Sequence, residues 1–180
     1  LIDYDDFLMP IVIQSTSKFS VDVTKNVHYL YVSKPAMRFD RTGWTIVDFS
    51  SEEPSGEGAN NGTAITVLDG NPATYWHSQW AGGTGQLPHH LTIDMQKELL
   101  VTSIDLQRRP NQRDTQGGNF YISSDNEKFT YIGSFQMAEV NDAQTFKVAT
   151  TRGRYLKVEI TESRRPPFAN MSEVYVRGVE

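Results

Sequence analysis

"RYLKVEITES", residues 154–163, alternates strictly: Leu156, Val158 and Ile160 share one side, and Tyr155, Lys157, Glu159 and Thr161 the other. A period of two marks a strand with one face in a core and the other in water. "LTIDM" (91–95) repeats it with Leu91, Ile93 and Met95, and "TSIDL" (102–106), "FYISS" (120–124), "QTFKVAT" (144–150) and "EVYVRG" (173–178) read as further short strands. Polar, turn-forming segments separate them: "RRPNQRD" (108–114), "TQGGN" (115–119), "SDNEK" (124–128) and "TTRGR" (150–154). Helical periodicity is almost missing. Many short strands with polar turns predict an all-β chain folded as an antiparallel sandwich or jelly roll.

The composition is that of a globular protein: 180 residues, 38% hydrophobic and 22% charged, enough for one ordinary domain or a domain plus a fragment. A net charge of −5 argues against nucleic-acid binding, which needs a positive footprint. The absence of cysteine removes disulfides and thiolate metal sites. No apolar run approaches the roughly 18 residues that span a bilayer. The chain opens at Leu1 with no visible signal peptide, which is expected of a processed or trimmed product. Residues 1–42 differ from the rest. "FLMPIVIQS" (7–15) and "HYLYVSK" (28–34) are strand candidates, and "KPAMRFDRTG" (34–43) reads as a linker broken by Pro and Gly. Two strands do not make a stable domain. Residues 1–42 are therefore expected to be the remnant of a preceding β-sandwich domain plus a linker, and 43–180 the main domain.

The chemistry concentrates in "TVLDGNPATYWHSQW", residues 66–80. Asp69-Gly70-Asn71-Pro72 is strong turn chemistry: Gly permits φ > 0, Pro presets φ, and the Asx side chains bond their own backbone. Such a turn aims carbonyls inward. With the Asp69 carboxylate and the Thr74 hydroxyl it makes a hard oxygen nest suited to calcium, although an ordinary Asx-capped turn explains the same residues. Trp76 is expected in the core. His77 and Trp80 pair a hydrogen-bonding ring with a large rigid aromatic face, and a loop histidine without a ligand is the alternative.

These residues carry a resemblance. The pattern Ala64…Leu68-Asp69-Gly70-Asn71-Pro72…Thr74…Trp76-His77-Ser78, then "LPHHLTIDM" (87–95), "YISSDNEKF" (121–129) and "SEVYVRG" (172–178), resembles the discoidin superfamily, the coagulation-factor C-terminal-type domain. It is most similar to the bacterial family 32 carbohydrate-binding modules and extends over residues 43–180. It implies a discoidin-like (galactose-binding-domain-like) jelly-roll sandwich of five plus three strands, with an N-terminal strand pair in front. That pair resembles the end of a sandwich domain in bacterial surface lipoproteins.

The resemblance further implies a structural Ca²⁺ held by the carbonyls of Thr66, Asn71, Thr74 and Ser172, the Thr74 hydroxyl, and the carboxylates of Asp69 and Glu173. It implies a sugar site in which His77 and Trp80, three residues apart, are joined by an arginine. Arg109 fits best, with Arg108 and Arg113 as alternatives. An upstream acid, Glu53 and then Glu57, is a further candidate. Asn111 and Asn60 could add amide contacts, and Phe168 a second wall. The expected partner is a glycan terminus, galactose-like or an amino sugar, beside other domains of the same parent chain. Loops rich in Gly, Gln, Asn and Arg disfavour membrane insertion. The expected location is extracellular or on the cell surface: exported, lipid-anchored in the outer membrane, or periplasmic.

No enzyme is expected. The chain has no G-x-S-x-G, H-E-x-x-H or P-loop, and His89-His90 face opposite sides of a strand and cannot chelate one metal together. The rival reading is a protein-interaction or structural domain of a surface glycan-utilisation lipoprotein. Convergence of His77, Trp80 and Arg109 on one concave patch favours the sugar, and their dispersal the rival.

Overall fold

The computed structural model describes residues 7–32, 35–83 and 85–179. The chain divides into two units, Leu1–Pro35 and Ala36–Glu180. In the first, β1 (Phe7–Val12) and β2 (Val27–Val32) form an antiparallel hairpin in register from Phe7↔Val32 to Val12↔Val27. Met9, Ile11, Val27, Tyr29 and Leu30 of this hairpin are exposed.

The second unit contains β3 (Met37–Arg38), β4 (Thr45–Phe49), β5 (Trp76–His77), β6 (His89–Gln107), β7 (Thr115–Ser123), β8 (Thr130–Gln136), β9 (Gln144–Ser163), β10 (Asn170–Met171) and β11 (Glu173–Val179). Among the described residues there is no α-helix, and a single 3-10 turn covers Ala64–Leu68. Two strands run through both layers of the sandwich. The first half of β6 and the second half of β9 pair from His89↔Ile160 to Asp94↔Tyr155; β4 flanks this β6 half, and β7 then β8 extend from this β9 half. After a register shift, the second half of β6 pairs with the first half of β9 and with β11, which carries β3 at the edge. The alternation in "RYLKVEITES" is realised: Leu156, Val158 and Ile160 are fully buried while Tyr155, Lys157 and Glu159 are half-buried. They pack with Leu91, Ile93, Ile104, Leu106, Phe120, Val174 and Val176 around Trp44 and Trp76.

Three sequence expectations change. "TTRGR" is not a chain reversal; it lies inside β9, at the bend where that strand passes from one layer to the other, between the Leu99↔Gly153 and Asp94↔Tyr155 pairs. "TQGGN" is not a turn either; it opens β7, and a Cβ on Gly118 would stand 1.9 Å from the Glu159 carbonyl oxygen. Glycine there serves close strand approach. Finally, residues 36–42 are not a linker. Met37 and Arg38 pair with Gly178 and Arg177, Phe39 is buried, and the main unit begins seven residues before position 43. Pro35 and Gly43 look like breakers in the sequence, but a two-residue edge strand needs little periodicity to form between them.

Candidate functional site

The site sits where β5 meets β10. Their pairing, Asn170↔His77 and Met171↔Trp76, holds the 164–169 loop against the 78–81 loop. The Trp76 indole is fully buried, and its Nε1 donates to the Ser51 carbonyl at 2.8 Å. Three loops are thereby anchored around His77.

His77 is 2% exposed, and its Nδ1 lies 2.7 Å from the Ser78 carbonyl oxygen. A carbonyl can only accept, so Nδ1 carries the hydrogen and Nε2 of the neutral ring is left as an acceptor. Nε2 stands 3.8 Å from Glu57 Oε1 and 4.0 Å from Asp114 Oδ2. Trp80 is 41% exposed and donates through Nε1 to Glu57 Oε1 at 2.8 Å. The other oxygen of Glu57 accepts from the Tyr75 hydroxyl at 2.7 Å and pairs with Arg109 at 3.0 Å, while the Arg109 guanidinium lies 3.9 Å from the Tyr75 ring centroid. Burial pushes the Glu57 carboxyl up, but the Tyr75 and Trp80 hydrogen bonds and the Arg109 charge outweigh it and hold it below its ordinary value. Burial, together with donation to Glu57, pushes the Tyr75 phenol up to about 12.

Glu57, His77, Trp80, Arg165 and Phe168 line an open cleft of about 350 Å³. Phe168, the expected second wall, faces the His77 ring with centroids 5.9 Å apart. The cleft offers a half-exposed indole, one imidazole acceptor and one guanidinium. That combination is chemically suited to a small ring with an apolar face and hydroxyl edges.

Four expectations about the site need revision. Glu53 does not reach the cleft. It is 1% exposed, and its Oε2 accepts the backbone N–H groups of Trp80 (2.9 Å) and Ala81 (2.6 Å) while its Oε1 accepts that of Gly56 (2.9 Å). These donors, Ala81 and Trp80 first, pull its carboxyl down to about 2. It fastens the loop from which Trp80 projects, and the second-choice acid, Glu57, faces the cleft. Arg109 does not line the cleft but grips Glu57 from behind. Asn111 is exposed at φ 60°, donates its backbone N–H to Asn141 Oδ1 at 3.2 Å, and is not among the cleft residues. Asn60, also exposed, occupies a positive-φ turn position. Of the alternative arginines, Arg108 is buried and Arg113 pairs with Glu139. Sequence reasoning missed Arg165, although it sits three residues before Phe168. It also missed Asp114, which holds Arg165 at 2.8 Å and Asn170 Nδ2 at 2.9 Å.

Of the residues expected to hold a cation, Asp69, Asn71, Thr74 and Glu173 lie together. The Thr74 hydroxyl lies 2.6 Å from Asp69 Oδ2 and 2.7 Å from the Asn71 carbonyl oxygen; one hydrogen cannot satisfy both well. Glu173 is fully buried with Oε2 on Arg41 Nη1 at 2.7 Å, and its Oε1 has no hydrogen-bond partner. Burial raises the Glu173 carboxyl above its ordinary value; Arg41 opposes the shift and the neighbouring Asp69 reinforces it. A crowded oxygen cluster beside a buried, unpartnered carboxylate oxygen fits a hard divalent cation. Among the described residues no three His, Asp or Glu side chains gather as a metal cluster, so most ligands of such an ion would be carbonyls and a hydroxyl. Arg41, read as linker from sequence, is part of this arrangement.

Residues 46–174 match the F5/8 type C domain. The chain belongs to the F5/8 type C domain family. Its fold is shared by the C-terminal domain of a chitobiase from Bacteroides fragilis, with 34% identity and a TM-score of 0.74 over 79% of this chain and 98% of that one. It is also similar to CpGH89CBM32-5 from Clostridium perfringens, in complex with GalNAc-β-1,3-galactose, with 20% identity and a TM-score of 0.70 over 78% of this chain and 99% of that one. A sialidase from Micromonospora viridifaciens is 26% identical over 144 residues, which are 77% of this chain and 22% of the sialidase. The chain thus spans about a fifth of the length of the curated relatives it matches. The discoidin-like resemblance read from Ala64–Ser78 and the later strands holds for this F5/8 type C domain.

Proposed function

We propose that this F5/8 type C domain is a non-catalytic carbohydrate-binding module of an exported bacterial protein. It seats a galactose-like or amino-sugar terminus in the cleft of Glu57, His77, Trp80, Arg165 and Phe168. The observation that carries the reading is the convergence of Trp80 and His77 on one small cleft, with Arg109 bound to the Glu57 between them. The sugar's C–H face lies on the Trp80 indole, one hydroxyl donates to His77 Nε2, and Arg165 donates to another. The glycan in the C. perfringens neighbour supports this choice of ligand. An open cleft gains little beyond its ordering costs, so the affinity expected is weak, about 0.1 to 1 mM or ~4 to 5.5 kcal/mol.

A structural Ca²⁺ belongs to the same proposal, held by the Asp69 and Glu173 carboxylates, the Thr74 hydroxyl, and the carbonyls of Thr66, Asn71, Thr74 and Ser172. When bound it supplies the positive charge that balances Asp69 against Glu173 and fixes the turn. Surface location, lipid anchorage and attachment to the remnant of a preceding domain complete the reading.

A glycan array with calcium present tests it, run with the wild type and a His77→Ala, Trp80→Ala double variant. Binding to terminal galactose or N-acetylated sugars that the variant loses supports the reading. Binding that survives the double substitution places the sugar elsewhere, and silence across the array favours a protein partner.

A further inference from the structure

Beside the cleft lies a cluster that sugar stacking does not use. Arg108 is 1% exposed, and its Nε and Nη1 have no hydrogen-bond partner; only Nη2 reaches an acceptor, the Thr115 carbonyl at 3.4 Å. No carboxylate pairs with it among the described residues. A buried guanidinium without a counter-charge is costly and calls for a compensating anion. The charged groups around it make the excess larger. Glu139 is shared between Arg113 and Arg164, the latter at 2.9 Å. Asp114 is taken by Arg165, and Glu57 by Arg109.

The group is continuous with the cleft. Arg164 donates its backbone N–H to the Asp114 carbonyl at 2.8 Å, Arg165 lines the cleft, and Asp114 adjoins His77. Five guanidiniums stand with four carboxylates, Glu57, Asp114, Glu139 and the buried Glu53 that fastens the Trp80 loop, at this end of a chain whose net charge is −5. The excess is therefore local and not a property of the composition. Three of the five, Arg113, Arg164 and Arg165, are 40% exposed or more, so a ligand can meet them, while the buried Arg108 adds its field from behind.

We propose that the preferred ligand is an anionic glycan: a sugar seated on Trp80 that itself, or through its neighbour, carries a carboxylate or sulfate directed at Arg165, Arg164 and Arg113. The proposal rests on the sugar-cleft reading and adds the chemical class of the substituent. Guanidinium forks bind carboxylate and sulfate oxygens in pairs, and such charge-assisted contacts are about twice as strong as neutral ones.

Isothermal titration with galactose, galacturonate and galactose 6-sulfate tests it, at 20 and 200 mM salt. These probes differ only at C6. At low salt the acidic sugars should bind about tenfold more tightly than galactose, and high salt should reduce that preference to about threefold or less. An Arg113→Gln, Arg164→Gln variant should lose the preference, and Arg113→Lys, Arg164→Lys should keep most of it. The lysine pair also controls for any loss of folding in the glutamine pair. A response to one acid alone identifies whether carboxylate or sulfate is the source. Equal or tighter binding of neutral galactose overturns the anionic inference and leaves the sugar cleft standing. Failure of all three sugars to bind overturns the anionic inference and the galactose-like form of the cleft reading, and N-acetylgalactosamine in the same titration then decides whether the cleft takes an amino sugar.

Discussion

Replacing Glu53 with Gln removes one charge and turns one acceptor into a donor at a point with no spare room. Glu53 is 1% exposed and faces donors on every side: the backbone N–H groups of Trp80, Ala81 and Gly56, and the Ser55 hydroxyl at 3.3 Å. The best amide orientation keeps oxygen toward Trp80 and Ala81 and turns the NH₂ toward Gly56. One charged-acceptor bond is then lost, about 1.5 to 3 kcal/mol, and a buried N–H is left facing another donor. The expected loss is about 3 kcal/mol. With a urea slope of about 2 kcal/mol per molar, the unfolding midpoint falls by about 1.5 M. Fluorescence can follow the transition, since Trp44 and Trp76 are buried in the fold and Trp80 is half-exposed. The pH dependence adds a second signature. The folded carboxyl sits at about 2, below the ordinary 4.5, so between these values the unfolded chain binds more protons. The contribution is full above pH ~4.5 and is lost as pH falls through about 2. The gap between wild type and Glu53→Gln should therefore narrow on acidification across that window. A midpoint shift under about 0.3 M, or a gap that is constant down to pH 2.5, refutes the reasoning.

Trp80→Ala should lower sugar affinity at least tenfold by titration calorimetry while unfolding free energy moves by less than about 1 kcal/mol, because the side chain is 41% exposed. Gly56→Ala should weaken binding similarly: its new Cβ would stand 2.4 Å from Trp80 Cζ2 and would force the indole aside, which a change in Trp80 quenching by iodide can detect. Chelation of Ca²⁺ should lower Tm by roughly 5 to 10 °C, from about 2.7 kcal/mol of linkage at a hundredfold excess over Kd and 2 to 4 °C per kcal/mol at this size. Asp69→Ala should remove that calcium dependence in the same thermal scan.

The strands were legible wherever one face is dry and the other wet. Leu91, Ile93 and Met95, and Leu156, Val158 and Ile160, carry both the period and the burial. What failed was segmentation. β6 and β9 are 19 and 20 residues long, because each crosses both layers. Their interior bends hold Gln96 at φ 67° and the Arg152-Gly153-Arg154 run, which look like loop ends to a local reading. A bend inside a strand and a reversal between strands use the same residue types; only pairing separates them. β3 failed for the opposite reason: two residues are too few to show a period.

The candidate site could be picked out in "DGNPATYWHSQW" because several chemical demands fall within one short segment. Elsewhere it could not, and the reason is distance along the chain. Arg41 meets Glu173, Glu57 meets Arg109, and Asp114 meets Arg165, each across a long stretch of chain that only the fold closes. Charge and size did not separate Glu53 from Glu57. Two glutamates four residues apart ended in opposite roles because Glu53 points at backbone donors and Glu57 at side chains.

Trp76 stands between the two proposed functions of this segment. Along the chain it lies between the oxygen-rich turn of residues 66–74 and the cleft residues His77 and Trp80, with its buried indole fixed to the Ser51 carbonyl. Strain carried along the chain from the turn meets this fully packed side chain before it reaches His77, and packed cores resist small displacements. The two halves should therefore fail differently. Loss of Asp69 should appear as lost stability at nearly unchanged sugar affinity below the unfolding temperature, and loss of Trp80 as lost affinity at nearly unchanged stability. If both substitutions lower Tm and affinity together and in proportion, Trp76 is a relay instead of a partition, and cation and sugar sites are one thermodynamic unit.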